Sequence, residues 1–187
     1  MESSKLREYH TEEDYYALPD EVRVELINGV FYDMSAPTQL HQEMIGQLYR
    51  KIAEYIDSNK GKCKVIPAPF DVKLEDKKDN IVQPDISVIC DQDKLDGKRC
   101  NGAPDWVIEI ASPGSLGNDY VRKLKLYQNA GVKEYWIVNP EDKNVITYHF
   151  EKENVYIETY TFDESVKCGL FDRLSISFPK IIEKIMS

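Results

Sequence analysis

The sequence has no apolar run near the roughly 20 residues that cross a bilayer, and it has no Cys-x-x-Cys pair. The first absence argues against a membrane-spanning helix. The second, with only three histidines (His10, His41 and His149) to assist, argues against a structural zinc site. Cys63, Cys90, Cys100 and Cys168 are too few and too scattered for a disulfide scaffold, and they read as four reduced thiols. The polar start, Met1-Glu2-Ser3-Ser4-Lys5-Leu6-Arg7-Glu8, lacks the apolar segment of a secretory signal, so a cytoplasmic location is expected. Positive charge is scarce as well: 24 Lys and Arg stand against 33 Asp and Glu, a net charge of −9. Such a balance excludes a general nucleic-acid coating protein, because phosphate binding normally uses a basic surface. It leaves room for an enzyme with a local basic groove whose grip on DNA is weak and salt-sensitive without a divalent ion. No Gly/Ser linker, repeat or low-complexity segment divides the chain. Its 187 residues, 42% of them hydrophobic, suit one domain over 1–187, with 1–10 as a flexible tail.

What is present is clear alternation and periodicity. Residues 10–18 suit a short helix ending before Pro19. Val22 to Ile27, then Asn28-Gly29, then Val30-Phe31-Tyr32 predict a hairpin. Leu40, Ile45, Leu48, Ile52, Tyr55 and Ile56 recur at helical spacing over residues 38–58. Strand-like runs follow at 64–67 and 70–74, and again at 81–90, where Gln83-Pro84-Asp85 interrupts. Trp106 to Ala111 is an apolar strand, residues 118–130 a helix closed by Gly131, and 133–138 another strand. A hairpin over 145–160 and a short helix after Pro179 complete the chain. This order predicts an α/β fold with a mixed sheet flanked by helices and with hairpin additions at both ends.

Two carboxylates stand out. Asp85 follows Pro84 among Ile81, Val82, Ile86, Val88 and Ile89, and Glu109 sits within Val107-Ile108-Glu109-Ile110. Burying an isolated carboxylate is costly, so it needs a partner, a raised pKa or a cation. Two in neighbouring strands would repel unless a cation lay between them, and hard oxygen ligands suit Mg²⁺ or Mn²⁺. The competing expectation is a half-exposed sheet with both acids on its solvent face, because strands alternate faces. Ser112, Ser115 and Cys90 lack a nearby histidine base and read as turn or core residues. Tyr120, Tyr127, Tyr135 and Trp136 read as core rather than as a base-stacking platform.

Pro84-Asp85 followed by Glu109 on the next strand resembles the PD-(D/E)XK nuclease pattern, although Ala111 occupies the usual lysine position. More of the chain carries a resemblance. Glu25-Leu26-Ile27-Asn28-Gly29, His41-Gln42, Pro67-Ala68-Pro69-Phe70-Asp71-Val72, Gln83-Pro84-Asp85-Ile86-Ser87-Val88, Ala103-Pro104-Asp105-Trp106-Val107-Ile108-Glu109-Ile110-Ala111-Ser112-Pro113 and residues 123–136, from Lys123-Leu124-Lys125 to Glu134-Tyr135-Trp136, occur in this order. From about Tyr15 to the C-terminus they resemble the Uma-two family of restriction-endonuclease-like proteins. The sequence departs at Ser112-Pro113-Gly114-Ser115, where that family usually shows Ser-Pro-Ser-Thr.

The resemblance implies a PD-(D/E)XK core whose lysine has moved from the strand to the following helix. Asp85 and Glu109 would be metal ligands and Lys123 the displaced lysine, with Glu25 and His41 as possible auxiliary residues lining the site. For His41 a helix-capping role is the plainer expectation. Helix geometry agrees on Lys123. Leu116, Tyr120, Leu124 and Tyr127 share one stripe, with Lys123 at its edge and Lys125 on the solvent face. The implied function is Mg²⁺- or Mn²⁺-dependent endonuclease cleavage of DNA, by a homodimer if two strands are cut. The alternative is a catalytically inactive nuclease-fold module serving in protein or nucleic-acid binding. A metal-independent sugar or nucleotide hydrolase using two carboxylates is a third expectation.

Overall fold

The structure is a computed structural model and describes residues 9–74, 79–112, 118–151 and 154–187. Val24–Ile27 (β1) and Val30–Asp33 (β2) form the first hairpin, with Ile27 opposite Val30. Its two-residue turn needs positive φ at both positions, and Asn28 (φ 52°) and Gly29 (φ 73°) supply it. Ahead of it lies the short helix Glu12–Tyr16 (α1), capped by Thr11 and Asp14 in a reciprocal box. The long helix Gln39–Ser58 (α2) starts at Thr38, whose hydroxyl accepts from the amide of His41.

Two sheets carry the core. In the first, β2 and β1 are followed by Ile81–Val82 (β5), Val72–Lys73 (β4) and Cys100–Asn101 (β7). The second runs Asn154–Thr161 (β11), Asn144–Glu151 (β10), Glu134–Asn139 (β9), Trp106–Ile110 (β8), Ile86–Ile89 (β6) and Lys64–Pro67 (β3). The strand expected over 81–90 is therefore two strands in different sheets, with Gln83-Pro84-Asp85 as the crossing. Pro84, which lacks an N–H, stands where the backbone leaves one ladder for the other. β8 and β9 are parallel, and the helix Asn118–Ala130 (α3) makes the crossover such a pair requires. Gly131 (φ 91°) ends that helix as expected.

Both faces of the central strands of the six-stranded sheet are covered. Met44, Ile45, Leu48, Ile52 and Ile56 of α2, with Phe178 and Ile181 of the last helix Phe178–Met186 (α4), pack on Ile86, Val88, Trp106, Ile108, Trp136 and Val138. The opposite face takes Leu126 and Tyr127 of α3, with Ile27, Val72 and Val82 of the first sheet and Leu74 just past β4. A short ladder of Ser165–Lys167 (β12) and Ser175–Ser177 (β13) borders the first layer, with Val166 and Ile176 buried. Because layers pack on both faces of β8, Glu109 is buried, and the solvent-face expectation for it does not hold.

The expectation of four free thiols is corrected. The antiparallel register that sets Lys64 opposite Ile89 brings Cys63 beside Cys90, and the two form a disulfide, while Cys100 and Cys168 are free and buried. A pair 27 residues apart in sequence becomes adjacent only through strand pairing. Alkylation of denatured protein without reductant should label two cysteines and, after reduction, all four. Four labelled thiols without reductant would place the chain in its dithiol form. Among the described residues no helix is long and apolar enough to cross a membrane.

Candidate active site

The site forms where β8, the crossing before β6, β1 and α3 meet. Extending the β6–β8 register one step past Ile86 and Ile108 sets Asp85 opposite Glu109. The amide of Ile110 donates to Asp85 Oδ2 at 2.7 Å, tying the crossing segment to β8. Lys123 reaches in from α3. Its Nζ lies 3.0 Å from Glu109 Oε1 and 3.0 Å from both carboxylate oxygens of Glu25. Tyr127, one helical turn on, donates its hydroxyl to Glu109 Oε1 at 2.7 Å. Glu25 also accepts from the amide of Gln83 at 3.0 Å, and His41 Nε2 lies 3.2 Å from Asp85 Oδ2.

Glu25, Glu109 and Lys123 are 5%, 7% and 8% exposed, so their charges interact with little screening. Burial opposes the charge on Lys123, but Glu109 and Glu25 outweigh it and hold the ammonium charged well above the lysine range. Burial pushes Glu109 up to about 7; Lys123 opposes this, the charges of Asp85 and Glu25 add to it, and the Tyr127 hydrogen bond opposes it. Burial also opposes a charge on His41, yet contact with Asp85 and the charge of Glu109 raise its pKa. Burial, with the charges of Glu109 and Glu25, raises Tyr127 and keeps it a neutral donor.

The Glu109 shift has a consequence for stability. The folded protein holds a proton that the unfolded chain releases. Its contribution is complete below the ordinary value of 4.5 and is lost as pH rises through about 7. Thermal unfolding in EDTA should show Tm falling over that window, and Glu109→Gln should flatten the fall. An equal slope in both proteins would assign the fall to other groups.

Asp85, Glu109 and Lys123 line one cavity of about 410 Å³, together with Glu25, His41, Gln83, Met34, Pro37 and Pro69. All five residues singled out in the sequence therefore come together, His41 by its side chain as well as by its capped amide. Leu116 lies outside the described residues, as does the side chain of Tyr120; Leu124 and Tyr127 of the same stripe pack on the core. Sequence reasoning assigned Tyr127 to the core alone, since periodicity marks the side that faces inward and says nothing of what its hydroxyl meets. It also passed over Glu134, 1% exposed, which accepts from the amides of Gly169 and Leu170 and from Trp136 Nε1. Glu134 accepts from these groups and from Cys168 Sγ, with His149 Nδ1 3.7 Å away, whereas Glu109 faces a lysine and two further carboxylates.

Among the described residues no three carboxylate, imidazole or thiol groups gather as a metal cage. The donors still suit Mg²⁺, which binds through one or two carboxylates and keeps several waters. Asp85 and Glu109 use Oδ2 and Oε1 in the bonds above, leaving Oδ1 and Oε2 outside them. With Glu109 ionised, the carboxylates of Asp85, Glu25 and Glu109 outnumber Lys123 and His41, an imbalance that a divalent cation would offset.

This mixed sheet flanked by helices, with acids and a lysine gathered at one crossing, is a restriction-endonuclease-like α/β fold. The chain belongs to the Uma2 family, described as "Putative restriction endonuclease", whose profile matches residues 12–176. A crystal structure described as "a putative nuclease belonging to DUF820 from Anabaena variabilis" has a TM-score of 0.77 to this chain at 20% identity, covering 94% of this chain and 98% of that one. The uncharacterized protein slr1290 of Synechocystis sp. is 24% identical over 126 residues, 67% of this chain and 65% of that protein's length.

Proposed function

We propose that this chain is a metal-dependent endonuclease that hydrolyses phosphodiester bonds in DNA. The observation that carries the reading is the buried Glu25–Lys123–Glu109 cluster, which faces the same cavity as Asp85. Family membership and the fold agree with it. Asp85 and Glu109 would hold Mg²⁺ or Mn²⁺, and such an ion supplies Lewis-acid polarisation of a phosphate and a lowered pKa for water. Lys123 is the displaced lysine, a fixed positive charge beside the site where negative charge develops on phosphate. Glu25 and Tyr127 position Lys123 and Glu109, and His41 positions Asp85. Each is a hydrogen-bonded support that limits side-chain motion at the reacting phosphate.

A plasmid-cleavage assay with Mg²⁺ or Mn²⁺ tests the reading. Wild-type protein should nick or linearise the plasmid, and neither EDTA-treated protein nor Asp85→Asn should. Equal cleavage by Asp85→Asn would remove this site from the reaction. The acidic net charge of −9 favours a second reading, a non-catalytic module that uses the fold for binding. Titration calorimetry separates the two, because absence of Mn²⁺ binding would leave the carboxylate cluster without its proposed role.

A further inference from the structure

Nucleic acid carries its phosphates as fixed negative charges, so a site that cuts it needs positive charge that its own acids have not taken up. Among the described residues three cationic side chains line the cavity: Arg23, His41 and Lys123. Lys123 sits between Glu25 and Glu109, and His41 lies on Asp85. Arg23 differs from both. It is exposed, and among the described residues its guanidinium makes no hydrogen bond or ion pair. Its backbone is held all the same. The amide of Met34 donates to the carbonyl of Arg23 at 3.0 Å, carrying the β1–β2 ladder one step past Val24 and Asp33. Strand alternation puts Arg23 on the same face as Glu25, and both line the cavity.

The rest of the lining bears on the form of the nucleic acid. Met34, Ala36, Pro37 and Pro69 give the cavity apolar surface. A duplex turns phosphate, sugar and polar groove edges outward and keeps the flat faces of its bases in the stack, so it offers such surface little that is complementary. An unpaired strand exposes those faces and can pack them on protein side chains. Access points the same way. Glu25, Glu109 and Lys123 are buried, in a cavity of about 410 Å³ that has the size of a small-ligand pocket. A phosphate must leave the solvent surface to reach them, which a flexible strand does readily and a paired one does only by unstacking and unpairing. Duplex binding also draws on several free Lys and Arg. This lining offers Arg23, with exposed Asp33 one step away in the ladder.

We infer that the substrate of this site is an unpaired DNA strand, and that Arg23 clamps a phosphate neighbouring the one presented to Glu109 and Lys123. The inference rests on the nuclease reading and adds the form of its substrate. A planar guanidinium grips two phosphate oxygens at once, which suits it to fixing the strand while the buried acids and lysine act on the next phosphate. Apolar contacts from Met34 and Pro37 then serve the exposed bases. Negatively supercoiled plasmid remains a substrate, because supercoiling favours local opening of the duplex.

Fluorescence anisotropy of the full chain, with Ca²⁺ as the oxygen-seeking ion, tests the inference on a short labelled strand and on the same sequence as a blunt duplex. The single strand should bind at least about tenfold more tightly than the duplex. Arg23→Ala should weaken single-strand binding about tenfold, the usual cost of losing a hydrogen bond to a charged group. It should also make the dependence of log affinity on log salt shallower by about 0.7, the share of one phosphate. Its circular dichroism spectrum and its Mn²⁺ affinity by titration calorimetry should be unchanged. Arg23→Lys keeps the charge without the fork and should recover the salt slope and part of the affinity. In cleavage of the single strand, Arg23→Ala should raise KM with kcat little changed. Duplex bound as tightly as the single strand, no binding of either, or single-strand binding unaffected by Arg23→Ala would overturn the inference. Binding is read apart from cleavage, so a chain that holds the single strand through Arg23 yet cuts nothing would support the clamp and sink the catalytic reading alone.

Discussion

Lys123→Ala should lose metal-dependent cleavage by about 10²–10³-fold or more, the usual cost of removing one group that stabilises transition-state charge. Lys125→Ala should cut at close to the wild-type rate. Both lysines lie on α3, two residues apart, and the helix turns them to different environments. Lys123 is buried between Glu25 and Glu109, whereas Lys125 is exposed and contributes at most general attraction for phosphate. The same substitution should lower stability. Removing one partner of a buried ion cluster typically costs about 3–5 kcal/mol, because the remaining charges lose compensation. Part of that loss is offset when Glu109 takes up a proton, and part should return on adding Mn²⁺. Tm measured in EDTA and in Mn²⁺ separates this effect from the catalytic one. Equal loss of cleavage in both variants would indicate general phosphate attraction, and normal cleavage by Lys123→Ala would remove this lysine from the mechanism.

Asp85→Asn and Glu109→Gln should each abolish cleavage and weaken Mn²⁺ binding at least about tenfold, or 1.4 kcal/mol. Both substitutions keep an oxygen acceptor, so the amide of Ile110 and the hydroxyl of Tyr127 retain partners. Each also removes one of three close carboxylates, so the metal-free variants should be as stable as wild type or more so. Titration calorimetry and thermal unfolding in EDTA read the two effects. A variant that is destabilised yet binds Mn²⁺ normally would identify that carboxylate as a structural acceptor, the part Glu134 plays in the same sheet. Glu134 shows why the distinction needs structure. It too lies in a β-strand and is buried, yet backbone amides and an indole N–H satisfy it.

Periodicity and turn chemistry by themselves determined most of the elements. The Asn28-Gly29 hairpin, helix α2, strand β8 and helix α3 with its Gly131 cap each follow from local rules: φ preference, an amphipathic stripe or an apolar run. Asp85 and Glu109 were also legible, since a carboxylate inside an apolar strand is conspicuous at any fold. Tertiary structure alone decided what those residues meet. The backbone changes sheets at Gln83-Pro84-Asp85, which no single-strand pattern encodes, and that change sets Asp85 opposite Glu109. Layers on both faces of β8 turned Glu109 from a possible surface acid into a buried one near neutrality. Cys63 and Cys90 became partners, and Tyr127 gained a second role, through contacts made across long stretches of chain. Local sequence specifies which way a side chain points along its own element. The identity of the group it points at depends on how separate elements pack, and burial, ion pairing and pKa shifts are properties of that packing.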